Sequence, residues 1–178
     1  MDTNVFISQL KPDDPYYEAS KTIVKKIAGG DIAAETSVLT LLETASVASR
    51  LYDMRMAGKD DISNDQRKIF IVKTISGLAS LKPRFIHPPG DSPFFMRSVP
   101  AELPQVFGEA ILMSLLIPLR TFDLIHLAAA RWAKQSNQEL GAFVTGDNGI
   151  LLRKREASKL IDVPVLSPKE YVQALGLE

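Results

Sequence analysis

Apolar residues recur along this chain at helical spacing in several long runs and at strand spacing in a few short ones. Ile23, Val24 and Ile27 alternate with charged positions between Tyr17 and Ala28, and Gly29-Gly30 stops that predicted helix. Residues 31–36 have the length of a strand. Ser37 is an N-cap residue type, and Val38, Leu41, Leu42, Ala45, Ala48 and Tyr52 after it form the core-facing stripe of a second helix. Glu43 lies at the edge of that stripe, where its side chain can reach a cleft. Residues 54–93 read as irregular: a loop at Gly58-Lys59-Asp60-Asp61, an amphipathic helix over 66–81, and a proline-rich passage over 82–93 without regular structure. A strand is expected over 94–99 and a helix from about Pro104, with proline tolerated in its first turn. Another helix begins at Asp123 with Thr121 as its cap. The last two strands fall at 142–145 and 160–166, with a short helix between them. Ser167-Pro168-Lys169-Glu170 is a capping box with proline at the first helical position, so the chain ends in a helix.

Strands alternating with helices predict an α/β fold with a mostly parallel sheet, and such sheets bind ligands beyond the carboxyl ends of their strands. Asp2 and Asp147 would both fall at such ends. The length of 178 residues suits one domain over 1–178. Hydrophobic residues at 46% and charged residues at 24% argue against disorder. The balance of 21 basic against 21 acidic residues removes any global positive field, so nucleic-acid binding would need a local patch or a bound metal. Without cysteine there is no disulfide scaffold, no thiolate zinc site and no cysteine nucleophile. The start lacks the basic and apolar regions of a signal peptide, and the longest apolar stretch, 110–117, is too short to span a bilayer. A soluble, cytoplasmic protein is the expectation.

Four carboxylates carry the candidate chemistry. Asp2 opens Asp2-Thr3-Asn4-Val5-Phe6, Glu43 lies in Thr40-Leu41-Leu42-Glu43, Asp123 opens Asp123-Leu124-Ile125-His126, and Asp147 follows Phe143-Val144-Thr145-Gly146. Taken in order and context, these strings resemble the PIN-domain family of metal-dependent nucleases, and the resemblance covers nearly the whole chain. It implies a three-layer α/β/α fold around a central, mostly parallel sheet. In that family a hydrophobic strand precedes the first acid; here only Met1 does, so the first strand reads as truncated. The segment 54–93 is longer and less typical than in the compact toxin members.

The resemblance further implies an Mg²⁺- or Mn²⁺-dependent endoribonuclease of VapC-like type, leaving 5′-phosphate and 3′-hydroxyl ends. Asp2 and Asp147 would hold the principal ion, Glu43 and Asp123 would complete the site, and Asn4 and Thr145 would orient the carboxylates. Hard oxygen ligands suit these ions, and clustered acids repel one another until a cation is bound. Members of the family include toxins held by an antitoxin as well as lone ribonucleases and RNA-processing factors, and the sequence does not separate them; besides RNA, the resemblance implies a homodimer and, for a toxin, an antitoxin protein. Arg153, Lys154 and Arg155, close in sequence to Asp147, are candidate RNA contacts. Arg50, Arg55, Lys59, Arg67, Lys68, Lys73, Lys82 and Arg84 read mostly as solvated helix faces.

Blander readings stand beside these. A helix dipole alone favours Asp123 at a helix start, and Asp147 suits a turn. His126, one helical turn from Asp123, invites a ligand reading, but carboxylate sites for Mg²⁺ rarely recruit imidazole, so it reads as a packing histidine; His87 reads as a loop residue. A non-catalytic PIN-fold scaffold is one rival function, and a structure-specific DNA nuclease of the same superfamily another. A haloacid dehalogenase-type phosphatase is a third, but it needs a second acid two residues after the first, where this chain has Asn4.

Overall fold

The computed structural model describes residues 1–57, 64–86, 93–95 and 102–177. The elements run α1 (Thr3–Ser8), α2 (Tyr17–Ala28), β1 (Glu35–Ser37), α3 (Leu39–Met56), α4 (Asn64–Ser80), β2 (Arg84–Ile86), β3 (Pro93–Phe95), β4 (Glu102–Pro104), α5 (Gln105–Ser114), α6 (Thr121–Ser136), β5 (Phe143–Val144), α7 (Asn148–Leu151), α8 (Lys154–Ile161), β6 (Val165–Leu166) and α9 (Pro168–Ala174). The fold is mixed α/β, dominated by helices, with short strands.

Two strand pairs are parallel. In one, Glu35, Thr36 and Ser37 of β1 face Arg84, Phe85 and Ile86 of β2. In the other, Phe143 and Val144 of β5 face Val165 and Leu166 of β6. The third pair, β3 with β4, is antiparallel. Met1 and Asp2 lie between the two parallel pairs. The Met1 ammonium donates to the Glu35 carbonyl at 2.7 Å, and the Asp2 amide donates to the Val144 carbonyl at 3.0 Å. The Thr36 hydroxyl closes the junction by donating to the Met1 carbonyl at 2.9 Å. Two residues therefore do locally what a central strand would do: they satisfy backbone groups on both neighbours.

The largest core forms around α6. Its residues 124–130 are all buried, and Ala128, Ala129 and Ala130 let neighbouring elements approach closely. Val106, Ala110 and Met113 of α5, Ala157 and Ile161 of α8, and Phe143 and Val165 of the strands pack into the same cluster. A second cluster joins Val5 of α1 to Ile23 and Ile27 of α2, Val144 and Val172. Burying a side chain such as Ile23 or Leu127 fully stabilises the fold by roughly 1.5–3 kcal/mol.

The α2 prediction matches the observed bounds, and α9 carries the full capping box: the Glu170 amide donates to Ser167 Oγ, and the Ser167 amide donates to Glu170 Oε2. Several expectations need correction. The passage from 82 is not wholly irregular, because β1 offers an open edge and Arg84–Ile86 pairs with it, entered through Lys82 at φ 51°. Residues 160–161 finish α8, and Asp162, left-handed at φ 54°, ends it; only Val165–Leu166 remains strand. Thr121 is the first helical residue of α6, with Arg120 in the cap position, and Pro104 caps α5 from outside it. Ser37 belongs to β1, yet its hydroxyl accepts the Leu39 amide at 3.2 Å, so it still caps the start of α3 in effect. The loop at 58–61, His87 and the strand expectation at 96–99 lie outside the described residues. Among the described residues, no helix is long and apolar enough to cross a membrane.

Candidate metal centre

Asp2 sits just before α1 in extended backbone, with its amide bound to β5, and the residue is only 3% exposed. Its Oδ2 accepts from the Thr145 hydroxyl at 2.5 Å and from Asn4 Nδ2 at 3.1 Å. Asn4 and Thr145 thus both donate to the Asp2 carboxylate, one from the first turn of α1 and the other from the residue just after β5. Thr145 also accepts the Asp147 amide at 3.0 Å, tying the loop that carries Asp147 to Asp2.

Glu43 reaches the same point from the second turn of α3. His126, one helical turn beyond Asp123 on α6, places Nε2 at 2.7 Å from Glu43 Oε2 and 3.8 Å from Asp2 Oδ1. The Thr3 hydroxyl also donates to Glu43 Oε2. Behind Thr3 runs a buried hydroxyl chain: Thr3 to Thr40 at 3.1 Å, and Thr40 to Thr36 at 2.8 Å. Burial pushes the Glu43 carboxyl up, but hydrogen bonds from His126 and Thr3 outweigh it, and the net shift is downward. Burial pulls His126 down, yet the Glu43 hydrogen bond and the Asp2 and Glu43 charges raise it overall.

Asp123 and Asp147 border the adjoining cleft. Burial, then the charges of Asp147 and Asp2, push Asp123 up to about 6, against a downward pull from Arg120. Asp147 Oδ1 accepts the Gly149 amide at 2.7 Å and the Ile150 amide at 3.2 Å, capping α7. The turn role and a ligand role are compatible, since a carboxylate has a second oxygen to offer.

Asp2, Glu43 and His126 each present a ligand atom, all within 4.8 Å of one another, and this buried group could hold a metal ion. Its chemistry fits a divalent cation. Two carboxylates supply hard oxygens, and Asp123 beside them is held protonated to higher pH in part by like charges that a cation would neutralise. The tight group thus contains two of the four sequence-predicted acids, with His126 as its third member, while Asp123 and Asp147 stand beside it.

The packing reading of His126 was therefore incomplete: it is buried in the helix, but its ring faces the acids. Its position three residues after Asp123 was the available signal, because residues three apart on a helix share a face. Thr3, Thr40 and Arg120 were not singled out by the sequence, and only the adjacency of Thr3 to Asp2 hinted at its role. The basic run divides. Arg153 lines the acid cleft, Lys154 is paired with Glu170 at 2.5 Å, and Arg155 lines a separate surface hollow with Lys159. Within the earlier basic set, Arg67, Lys68 and Arg84 are engaged by Asp53, Asp65 and Glu35, whereas Arg50 lines the cleft. No protein-family model matches the chain, and neither a curated protein nor a solved structure matches it.

Proposed function

We propose that this protein is a metal-dependent ribonuclease of PIN type that hydrolyses phosphodiester bonds of RNA. One observation carries the reading: Glu43, Asp123 and Asp147, delivered by α3, α6 and the loop after β5, line one cleft, and Asp2, buried at the chain start, is grouped with Glu43 and acts by its charge on Asp123. In the same reading the two parallel strand pairs, bridged by Met1 and Asp2, form the core of a central sheet between helical layers.

Asp2 and Glu43 would hold the ion, Mg²⁺ or Mn²⁺, through hard carboxylate oxygens. When bound, the ion supplies an activated water and charge stabilisation on the departing oxygen. The chain's own part is orientation. Thr145 and Asn4 lock Asp2, Thr3 and His126 lock Glu43, and the α7 cap fixes Asp147, so these three carboxylates need little reorganisation when substrate arrives. Asp123, its carboxyl pushed up to about 6, would give up its proton more readily with a cation held beside it. The phosphatase alternative loses ground because Asn4, at the proton-donor position, is an amide that donates to Asp2.

A toxin held inactive by an antitoxin and a stand-alone RNA-processing nuclease, either acting as a homodimer in the cytoplasm, are the two settings in which this chemistry would be used. The deciding assay is incubation of single-stranded RNA with Mn²⁺ or Mg²⁺, with and without EDTA. Cleavage that EDTA abolishes, leaving 5′-phosphate ends, is the expected result. Absence of metal-dependent cleavage overturns the reading.

A further inference from the structure

We propose that the cleft over the acids is the bed of a single-stranded RNA. Phe122 stacks on a base along one arm, Arg153 holds a backbone phosphate along the other, and Arg120 stands between them. The proposal rests on the ribonuclease reading and adds to it the form of the substrate and the residues that grip it.

Two cavities of about 510 and 630 Å³ meet over the acids, and Asn4, Arg120, Asp123 and Asp147 line both. They make one trough that passes over the acids and continues on either side. The first arm is walled by Leu42, Arg50 and Phe122, and the second by Leu119, Leu152 and Arg153. Each arm pairs an arginine with exposed apolar surface: Phe122 is 48% exposed and Leu152 is 87% exposed. Among the described residues, none of Arg50, Arg120 and Arg153 makes an ion pair, while Arg67, Arg84 and Lys154 do.

That pattern matches a polynucleotide better than a compact metabolite. Guanidiniums on both sides of the acids meet successive phosphates, and a chain of zero formal charge has no broader field with which to attract them. An aromatic ring open to the trough accepts the face of any base, at a strength that does not depend on sequence. A duplex hides those faces within its own stack, so Phe122 selects for an unpaired strand. An open trough walled by arginines and an exposed ring is the geometry of a strand channel.

Fluorescence anisotropy of a labelled oligouridylate and of an RNA duplex of equal length tests this, with Ca²⁺ present as the oxygen-ligated cation. Wild type should prefer the single strand. Phe122→Ala should weaken its binding about ten-fold, and Phe122→Trp should restore it. Arg153→Gln should flatten the dependence of log Kd on log salt by about 0.7, because the protein then neutralises one phosphate fewer. Equal affinity for strand and duplex, or unchanged binding by Phe122→Ala, overturns the proposal. Cleavage with Mn²⁺ is scored separately: strand-selective, Phe122-dependent binding without turnover supports the trough and sinks only the nuclease reading.

Discussion

His126 Nε2 stands 2.7 Å from Glu43 Oε2, joining α6 to α3 across 83 residues of sequence at the buried end of the acid cluster. His126 is 3% exposed, so a proton on its ring is screened little by solvent and acts almost wholly on the carboxylates around it. The pair gives the metal-free protein an internal counter-charge where Asp2 and Glu43 would otherwise repel. It also marks the place where a cation would do the same task more completely.

Removing that ring should cost stability in a defined pH window. Glu43, lowered from 4.5, contributes stability above that value and loses it as pH falls through its folded pKa. His126, raised from 6.5, contributes fully below that value and loses it as pH rises through its folded pKa. The melting difference between wild type and His126→Gln in EDTA should therefore be largest between pH 4.5 and 6.5 and shrink above it. The loss there should be on the order of 2 kcal/mol, for a pair of which one partner stays partly solvated. A difference independent of pH would mean that the ring acts by packing alone.

Asp123 should behave in the opposite sense to a stabilising acid. Its pKa is raised from 3.8 to about 6, so its favourable contribution is complete below 3.8 and is lost as pH rises through 6. Asp123→Asn should then stabilise the metal-free protein at neutral pH by about 1 kcal/mol, after allowance for solvent around a half-buried group. Mn²⁺ affinity of the wild type should fall as pH drops through 6, because protons compete for the same oxygen. Calorimetric titration across that range checks both halves, and a flat affinity would remove Asp123 from the site.

Asp147 can be separated into its two roles by choice of substitution. Asn caps a helix about as well as Asp, so Asp147→Asn should keep α7 and melt no lower than wild type in EDTA. Asp147→Ala should lose about 1 kcal/mol with the cap. Both should lower RNA cleavage by orders of magnitude and abolish most of the melting gain that Mn²⁺ gives wild type through mass action. Equal metal responses in wild type and Asp147→Asn would confine Asp147 to the cap. Asp2→Asn is the sterner case: Asp2 is buried, and although an amide oxygen at the Oδ2 position can still accept from Thr145 and Asn4, its amino group would then replace the negative Oδ1 that stands 3.8 Å from His126.

Much of the helical frame was legible because amphipathic spacing and caps act locally: α2 ends at Gly29-Gly30, and α9 begins at Ser167-Pro168. The strands were harder. Arg84–Ile86 follows a proline and carries no alternation of its own, and it is strand only because β1 lies beside it. Asp162 adopts a left-handed conformation that Gly would have announced and Asp does not. At the site, the acids stood out because each sits beside a turn or at a helix edge. His126 drew notice by its step from Asp123 but kept the packing reading, because a histidine inside Leu-Ile-His-Leu-Ala looks the same whether its ring meets aliphatic side chains or, as here, two carboxylates from elsewhere in the chain. The hydroxyl chain Thr36–Thr40–Thr3 left no local mark, since it exists only once α1, β1 and α3 have docked.

Thr3 turns that hidden chain into a testable feature of metal binding. Its hydroxyl donates to Glu43 Oε2, the same oxygen that faces His126, and so keeps the carboxylate ionised and aimed at Asp2. Thr3→Val has nearly the same shape and removes only the donor, while Thr40 keeps Thr36 as a partner at 2.8 Å. The Glu43 pKa should move upward, because burial then acts against one hydrogen bond fewer. Mn²⁺ affinity should fall about ten-fold, as outer-shell losses do at metal sites, and Thr3→Ser should hold it near wild type. Calorimetric titration of the three proteins with Mn²⁺ decides the matter. If Thr3→Val binds Mn²⁺ like wild type while Glu43→Gln does not, His126 alone orients Glu43 and the hydroxyl chain serves packing only.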